Sequence, residues 1–229
     1  MTAERTDLPG APESRLPIAL LEQVLAAQPD RTPPPPWPTR VEAVLWWHRS
    51  APAARDALPA GLRQQHTMSV TVGAYLRYLD TPVGPYEEVL AVPAVLPGRL
   101  LPRVHVPFIA VDSPASVRGG REHWALPKTL AEFATDADGV TVRGADWQVR
   151  VAARPRGPRL PAVAAFELTQ AGTSRSRVRG TARYARVDVR VDSALRAQHG
   201  SIAAWLLPGS HHGVVLAARL RVGPVRPGR

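Results

Sequence analysis

From Arg40 to Val222 the sequence is a succession of strand-length runs punctuated by Gly, Pro and Asp, and this limits the fold more than any other feature. The runs read VEAVLWWH, TMSVTVGAYLRYL, EEVLAVPAVL, RVHVPFIAV, GVTVRGADWQVRVAA, AVAAFEL, SRVRGTARYARVDVRV and HGVVLAARLRV. In SRVRGTARYARVDVRV, Arg alternates with Val, Ala and Tyr, the period of a strand with one solvated face. Short helices are expected at APAARDAL, around PKTLAEF and at DSALRAQHGSIAAWL. No strand–helix alternation of the doubly wound kind and no internal repeat occurs. The reading is a mostly β protein (α+β), with an antiparallel sheet closed as a barrel or stacked as a sandwich. A barrel mouth would offer an apolar cavity to a small molecule.

Upstream, SRLPIALLEQVLAAQ places Ile18, Leu21 and Val24/Leu25 at helical spacing, with Ser14 as cap and Pro17 in the first turn. The following PDRTPPPPWP is expected to be a stiff connector, neither helix nor central strand. Residues 1–36 are therefore read as N-terminal helix plus connector, and residues 37–229 as the body. No run of eighteen apolar residues is present, so no membrane span is expected. The N-terminus lacks the apolar region of a signal peptide and the chain has no cysteine. A cytoplasmic protein without disulfides, thiolate nucleophile or Cys-based zinc site is the expectation.

The net charge of +10 invites a nucleic-acid partner. The arginines are scattered along the chain and alternate with apolar residues, so no specific nucleic-acid binding is expected. Of the 29 basic residues all but one are arginine, and the exception is Lys128, in GGREHWALPKTLAEF. A neutral amine can attack a ketone or aldehyde and form an imine, which a guanidinium cannot. The protonated imine withdraws electrons from the neighbouring carbon, permitting decarboxylation, aldol cleavage or dehydration. To be neutral near pH 7 the amine must titrate roughly three units below its reference value of about 10.4. Trp124, Ala125, Leu126 and Pro127 could supply dryness, and Arg121 and His123 charge.

The segment GREHWALPKTLAEF resembles the active-site segment of the acetoacetate decarboxylase family, a Gly-Arg-Glu, a short apolar stretch, then Pro-Lys. TPVGPYEEVL resembles that family's Gly-x-Tyr-x-Glu segment, and Glu88 falls on its active-site carboxylate. TRVEAVLWWHRSAPAARDALPAGL resembles the family's strand and small helix ending in Pro-x-x-Leu, and Arg40 falls where the family has an active-site arginine. The resemblance covers Arg40 to Phe133. It implies a β-barrel or cone with a few short helices, a Schiff-base mechanism without external cofactor, and assembly into homo-oligomers. On it, Lys128 is the imine-forming nucleophile and Glu88 moves a proton or anchors the imine. Arg40 is a candidate for a substrate carboxylate or for an ion pair with Glu88 or Glu122. Arg121 is a candidate substrate contact or, with Glu122, a holder of the loop; Tyr86 and Trp124 are candidates to line the pocket.

Two positions depart from the family pattern. The founding decarboxylases carry a second lysine directly after the first, where this chain has Thr129. Their second active-site glutamate, fifteen residues before the first, aligns with Gly73. The implied activity is decarboxylation of a β-keto or other oxo acid, with a Schiff-base aldolase or dehydratase, or a non-catalytic small-molecule-binding barrel, as alternatives. GSHHG places two histidines side by side on a strand, where they cannot both face one metal, and no metal site is expected. No Walker A loop or Gly-x-Gly-x-x-Gly supports a nucleotide cofactor.

Overall fold

The computed structural model describes residues 31–64, 70–145, 147–170, 174–195 and 204–227. The expected N-terminal helix lies outside them, as does most of the third expected helix. The strands are β1 (Trp37–Arg49), β2 (Val70–Asp80), β3 (Tyr86–Val92), β4 (Val95–Leu96), β5 (Arg103–Val104), β6 (Phe108–Val111), β7 (Thr129–Leu130), β8 (Glu132–Asp136), β9 (Gly139–Arg143), β10 (Trp147–Leu168), β11 (Arg175–Leu195) and β12 (Gly209–Arg226). The helices are α1 (Ala60–Arg63) and α2 (Pro114–Trp124), with a 3-10 turn at Pro52–Arg55. Among the described residues no helix is long and apolar enough to cross a membrane.

The strands form one sheet in the order β4-β5-β10-β11-β12-β1-β2-β3-β6-β7, with the β8–β9 hairpin joined to β10. Pairing is antiparallel except at β10/β5 and β6/β7. The mostly β reading holds; among the described residues the sheet runs from β4 to β7, both two-residue strands, without closing on itself.

Two sequence expectations are corrected. The stretch around PKTLAEF is extended, forming β7 and β8, because its residues pair with β6 and β9. Asp192–Leu195, expected to open a helix, instead ends β11 against β10. Strand β1 starts at Trp37 and includes Pro38, the last residue of PDRTPPPPWP. At Pro38 the strand has a ladder partner on the β12 side alone, so the missing N–H is tolerated there.

The apolar residues bury both faces of the middle of the sheet. On β3, Val89 and Ala91 join Trp46, Phe108, Ala110 and Trp147 in one core; Tyr86 and Val92, on the opposite face, pack against Val111, Ile109, Val117 and Trp124. This explains why EEVLAV and FIAV are written without polar alternation. Glu88 shares the second face, directly opposite Val111 of β6. It is 2% exposed, a carboxylate in the position of a core residue.

Candidate active site

Helix α2 builds the site. Its cap is Ser113, whose Oγ accepts the backbone N–H of Ser116 at 3.2 Å, with Pro114 following in the first turn. It ends at Ala125, a left-handed residue with φ of 53°, whose N–H returns to the Arg121 carbonyl. That reversal turns the chain back along the helix, so that Lys128 lies beside the first turn. The Lys128 N–H donates to the Leu126 carbonyl at 2.8 Å, and Arg121 Nε donates to the Lys128 carbonyl at 2.8 Å. Gly120 gives the lysine side chain its channel: a Cβ there would stand 2.6 Å from Lys128 Cδ and 2.8 Å from Cε.

The amine is 2.7 Å from Glu88 Oε2 and 2.8 Å from Ser116 Oγ, and donates to both. Lys128 is 4% exposed and Ser116 is fully buried. The Tyr86 ring lies over the nitrogen at 4.9 Å and stacks on Tyr78 at 4.4 Å. The Tyr78 hydroxyl donates to Glu88 Oε1 at 3.4 Å.

Burial works to lower the amine's pKa, but the charge of Glu88 and the hydrogen bond the amine donates to it more than offset that. The amine is held above the ordinary lysine value. The pocket is as dry as expected; the direction of the shift is the reverse of the expectation. Burial, then the charge of Glu88, keeps the Tyr78 phenol well above its usual range, and burial raises Tyr86 as well. Both are neutral phenols able to donate.

The other candidates lie elsewhere. Arg121 is bound to the loop backbone, and its burial lowers its pKa. His123 reaches Thr32 Oγ1 at 3.0 Å, and Glu122 accepts from the same hydroxyl at 3.2 Å, fastening the connector to α2. Neither Arg121 nor His123 faces the amine as a depressing cation. Trp124 donates its indole N–H to the Gly223 carbonyl and meets Trp37 edge-on, so it braces the helix rather than lining the amine's surroundings. Arg40 is separated by strand alternation: Trp37, Thr39 and Val41 of β1 turn inward, and Arg40 is exposed. It lines a surface groove of about 940 Å³ with Arg183 and Arg219, while among the described residues Glu88 pairs with Lys128 and Glu122 with Arg118. Gly73 also lies away from Glu88. It pairs with Ala91 on the other face of the sheet, and Trp46 occupies the space a side chain would need.

The sequence reading missed Ser116 and Tyr78. Ser113-Pro114 was a usable start signal for α2, and would have put Ser116 in a first turn. Tyr78 and Tyr86 flank the Thr81–Gly84 turn and are directly opposite in the β2–β3 hairpin.

Among the described residues no group of three His, Asp or Glu side chains is placed to hold a metal. The family model for acetoacetate decarboxylase matches residues 21–151, more than half of the chain. The chain belongs to the acetoacetate decarboxylase family. No curated protein matches it. Solved structures in the family's fold resemble it at low identity. An acetoacetate decarboxylase has a TM-score of 0.59 at 12% identity, over 86% of this chain and 90% of that one. The enduracididine biosynthesis enzyme MppR, complexed with pyruvate, has 0.55 at 16%, over 85% and 91%. An acetoacetate decarboxylase-like enzyme from Sphingomonas wittichii RW1 has 0.55 at 13%, over 86% and 94%. The buried Lys128–Glu88 pair therefore stands within a family of decarboxylase-like enzymes.

Proposed function

We propose that this chain is a carbon–carbon lyase that forms a Schiff base between Lys128 and a small oxo acid, with decarboxylation of a β-keto acid as the default reaction. The observation that carries the reading is the chain's sole lysine, buried, with its nitrogen 2.7 Å from a buried carboxylate. A related fold binding pyruvate, a 2-oxo acid, supports the substrate class.

The resting pair is charged, and an entering substrate carboxylate changes the balance. A second anion in a dry site disfavours ionised Glu88, so a proton passes from Nζ to Glu88 Oε2. The freed lone pair attacks the carbonyl carbon, and Glu88 returns the proton to the carbonyl oxygen. A further proton moves from nitrogen through Glu88 to that oxygen, and water leaves the iminium. The C–C bond to the carboxylate breaks, CO2 departs, and its electron pair enters the enamine. One proton taken up from solvent, delivered through Glu88 or the Tyr78 phenol, adds to the enamine carbon, and hydrolysis of the resulting iminium releases the ketone and restores the amine. The same iminium would support aldol cleavage or dehydration of a 2-oxo acid. No external cofactor is required, and the reading includes a cytoplasmic homo-oligomer.

One observation favours a second reading. The Glu88 pair keeps Lys128 protonated at rest, as a barrel that binds a small molecule without chemistry would. Turnover decides between them. Lys128→Arg keeps the charge and removes the imine, so CO2 release from a panel of β-keto acids should fall at least about a thousandfold. Equal turnover by wild type and Lys128→Arg contradicts the lyase.

A further inference from the structure

We propose that Ser116 is the positioning residue of the Lys128 nitrogen, accepting one of its N–H groups at every stage from ammonium to iminium. This rests on the Schiff-base reading above and assigns the nitrogen's orientation to helix α2, in a chain with Thr129 where a second amine would stand.

An ammonium has three N–H groups. One is directed at Glu88 Oε2 at 2.7 Å and a second at Ser116 Oγ at 2.8 Å. Ser116 is fixed from behind: its backbone N–H is held by the Ser113 cap, and its side chain is fully buried. A hydroxyl oxygen carries two acceptor lone pairs, so Ser116 Oγ receives the lysine N–H whichever way its own O–H turns.

The proton inventory then assigns each bond. When Nζ gives its proton to Glu88, the lone pair appears on the Glu88 side, where the carbonyl carbon must arrive and where Glu88 can protonate the carbonyl oxygen. The N–H on Ser116 is not the one transferred. After C–N bond formation, a second proton leaves the nitrogen by way of Glu88, water departs, and the iminium keeps a single N–H. That one remains on Ser116 Oγ and fixes the plane in which the electron sink lies relative to the bond that breaks.

The chain's single lysine permits a direct test. In protein grown on lysine labelled with carbon-13 at Cε, Lys128 is the only labelled side chain, and its titration can be followed by NMR in wild type and Ser116→Ala. Borohydride trapping rates with pyruvate and acetoacetate are measured on the same proteins, and thermal melts check that each is folded. Removing an acceptor from the charged amine should lower its midpoint by about one unit. Trapping should slow about tenfold as the nitrogen loses its orientation, and Ser116→Thr, which keeps the hydroxyl, should recover most of both. Wild-type titration and trapping in Ser116→Ala overturn the role of Ser116 and leave the imine standing. No wild-type adduct with either oxo acid overturns the imine reading itself, and this role with it.

Discussion

The Lys128 ammonium lies against the Glu88 carboxylate in a buried site, and removing either partner leaves the other without its ion pair. Glu88→Gln removes the attraction that keeps the amine's pKa raised and leaves burial unopposed. The Lys128 midpoint should then fall below the ordinary lysine value, and unfolding free energy should drop by about 3–5 kcal/mol, as read by titration and urea melts. In the wild type, the folded pKa of Lys128 lies above its unfolded value of about 10.4. Its contribution is fully present below that pH and is lost as pH rises through the folded value. Tyr78 and Tyr86, also raised, act in the same direction. Stability should be unaffected by these groups from neutral pH to about 9 and decline above about 10; a decline that began near pH 8 would contradict the pairing. The amine and its carboxylate could be read from the sequence because a lone lysine among arginines and a Gly-x-Tyr-x-Glu segment are local signals. The sign of the amine's shift could not, because it depends on Glu88 being within hydrogen-bond reach across 40 positions of chain.

Helix α2 carries two adjacent glycines, each less favourable in a helix than alanine by about 1 kcal/mol. They are there because of what touches them: Trp37 occupies the Cβ position of Gly119, and the Lys128 stem that of Gly120. Gly120→Ala should therefore gain helix propensity and lose the site. The melting temperature should change by only a few degrees, while trapping of Lys128 falls more than about tenfold as its nitrogen leaves Glu88 and Ser116. Retained trapping would show that the channel is not needed. At the end of the same helix, Ala125 adopts a conformation suited to glycine, so Ala125→Gly should stabilise the protein by about 1 kcal/mol in urea melts. The glycine pair is also why the helix went unread. GGREHW opens on two poor helix formers and has no apolar stripe, and the packing that requires glycine comes from β1 and from the lysine itself. The alternating arginines of β11 announced a strand without ambiguity, whereas the apolar run around Lys128 was equally compatible with helix until β6 and β9 paired with it.

At the scale of the molecule, one sheet serves two cores, and the functional pair lies where the strands are covered on both faces. The solvated face farther along β1, β11 and β12 collects arginine. Arg40 is directly opposite Arg219, and Arg179 directly opposite Arg221. Like charges in these positions repel, and a net charge of +10 adds to the effect. Raising salt from about 0.05 M to about 0.5 M should increase thermal stability by screening this face, and a falling melting temperature would contradict that account. Sequence alone gave the alternation but not the clustering, since which arginines become neighbours is decided by strand order. The same long-range pairing decides that Arg40 faces outward and that, among the described residues, β4 and β7 end the sheet. The chemistry of the one amine is decided by borohydride reduction in the presence of pyruvate, acetoacetate and related oxo acids, read by intact mass and peptide mapping. A single stable adduct is expected on the peptide containing Lys128, absent from Lys128→Arg. A folded wild-type protein that gains no mass with any of them would contradict it.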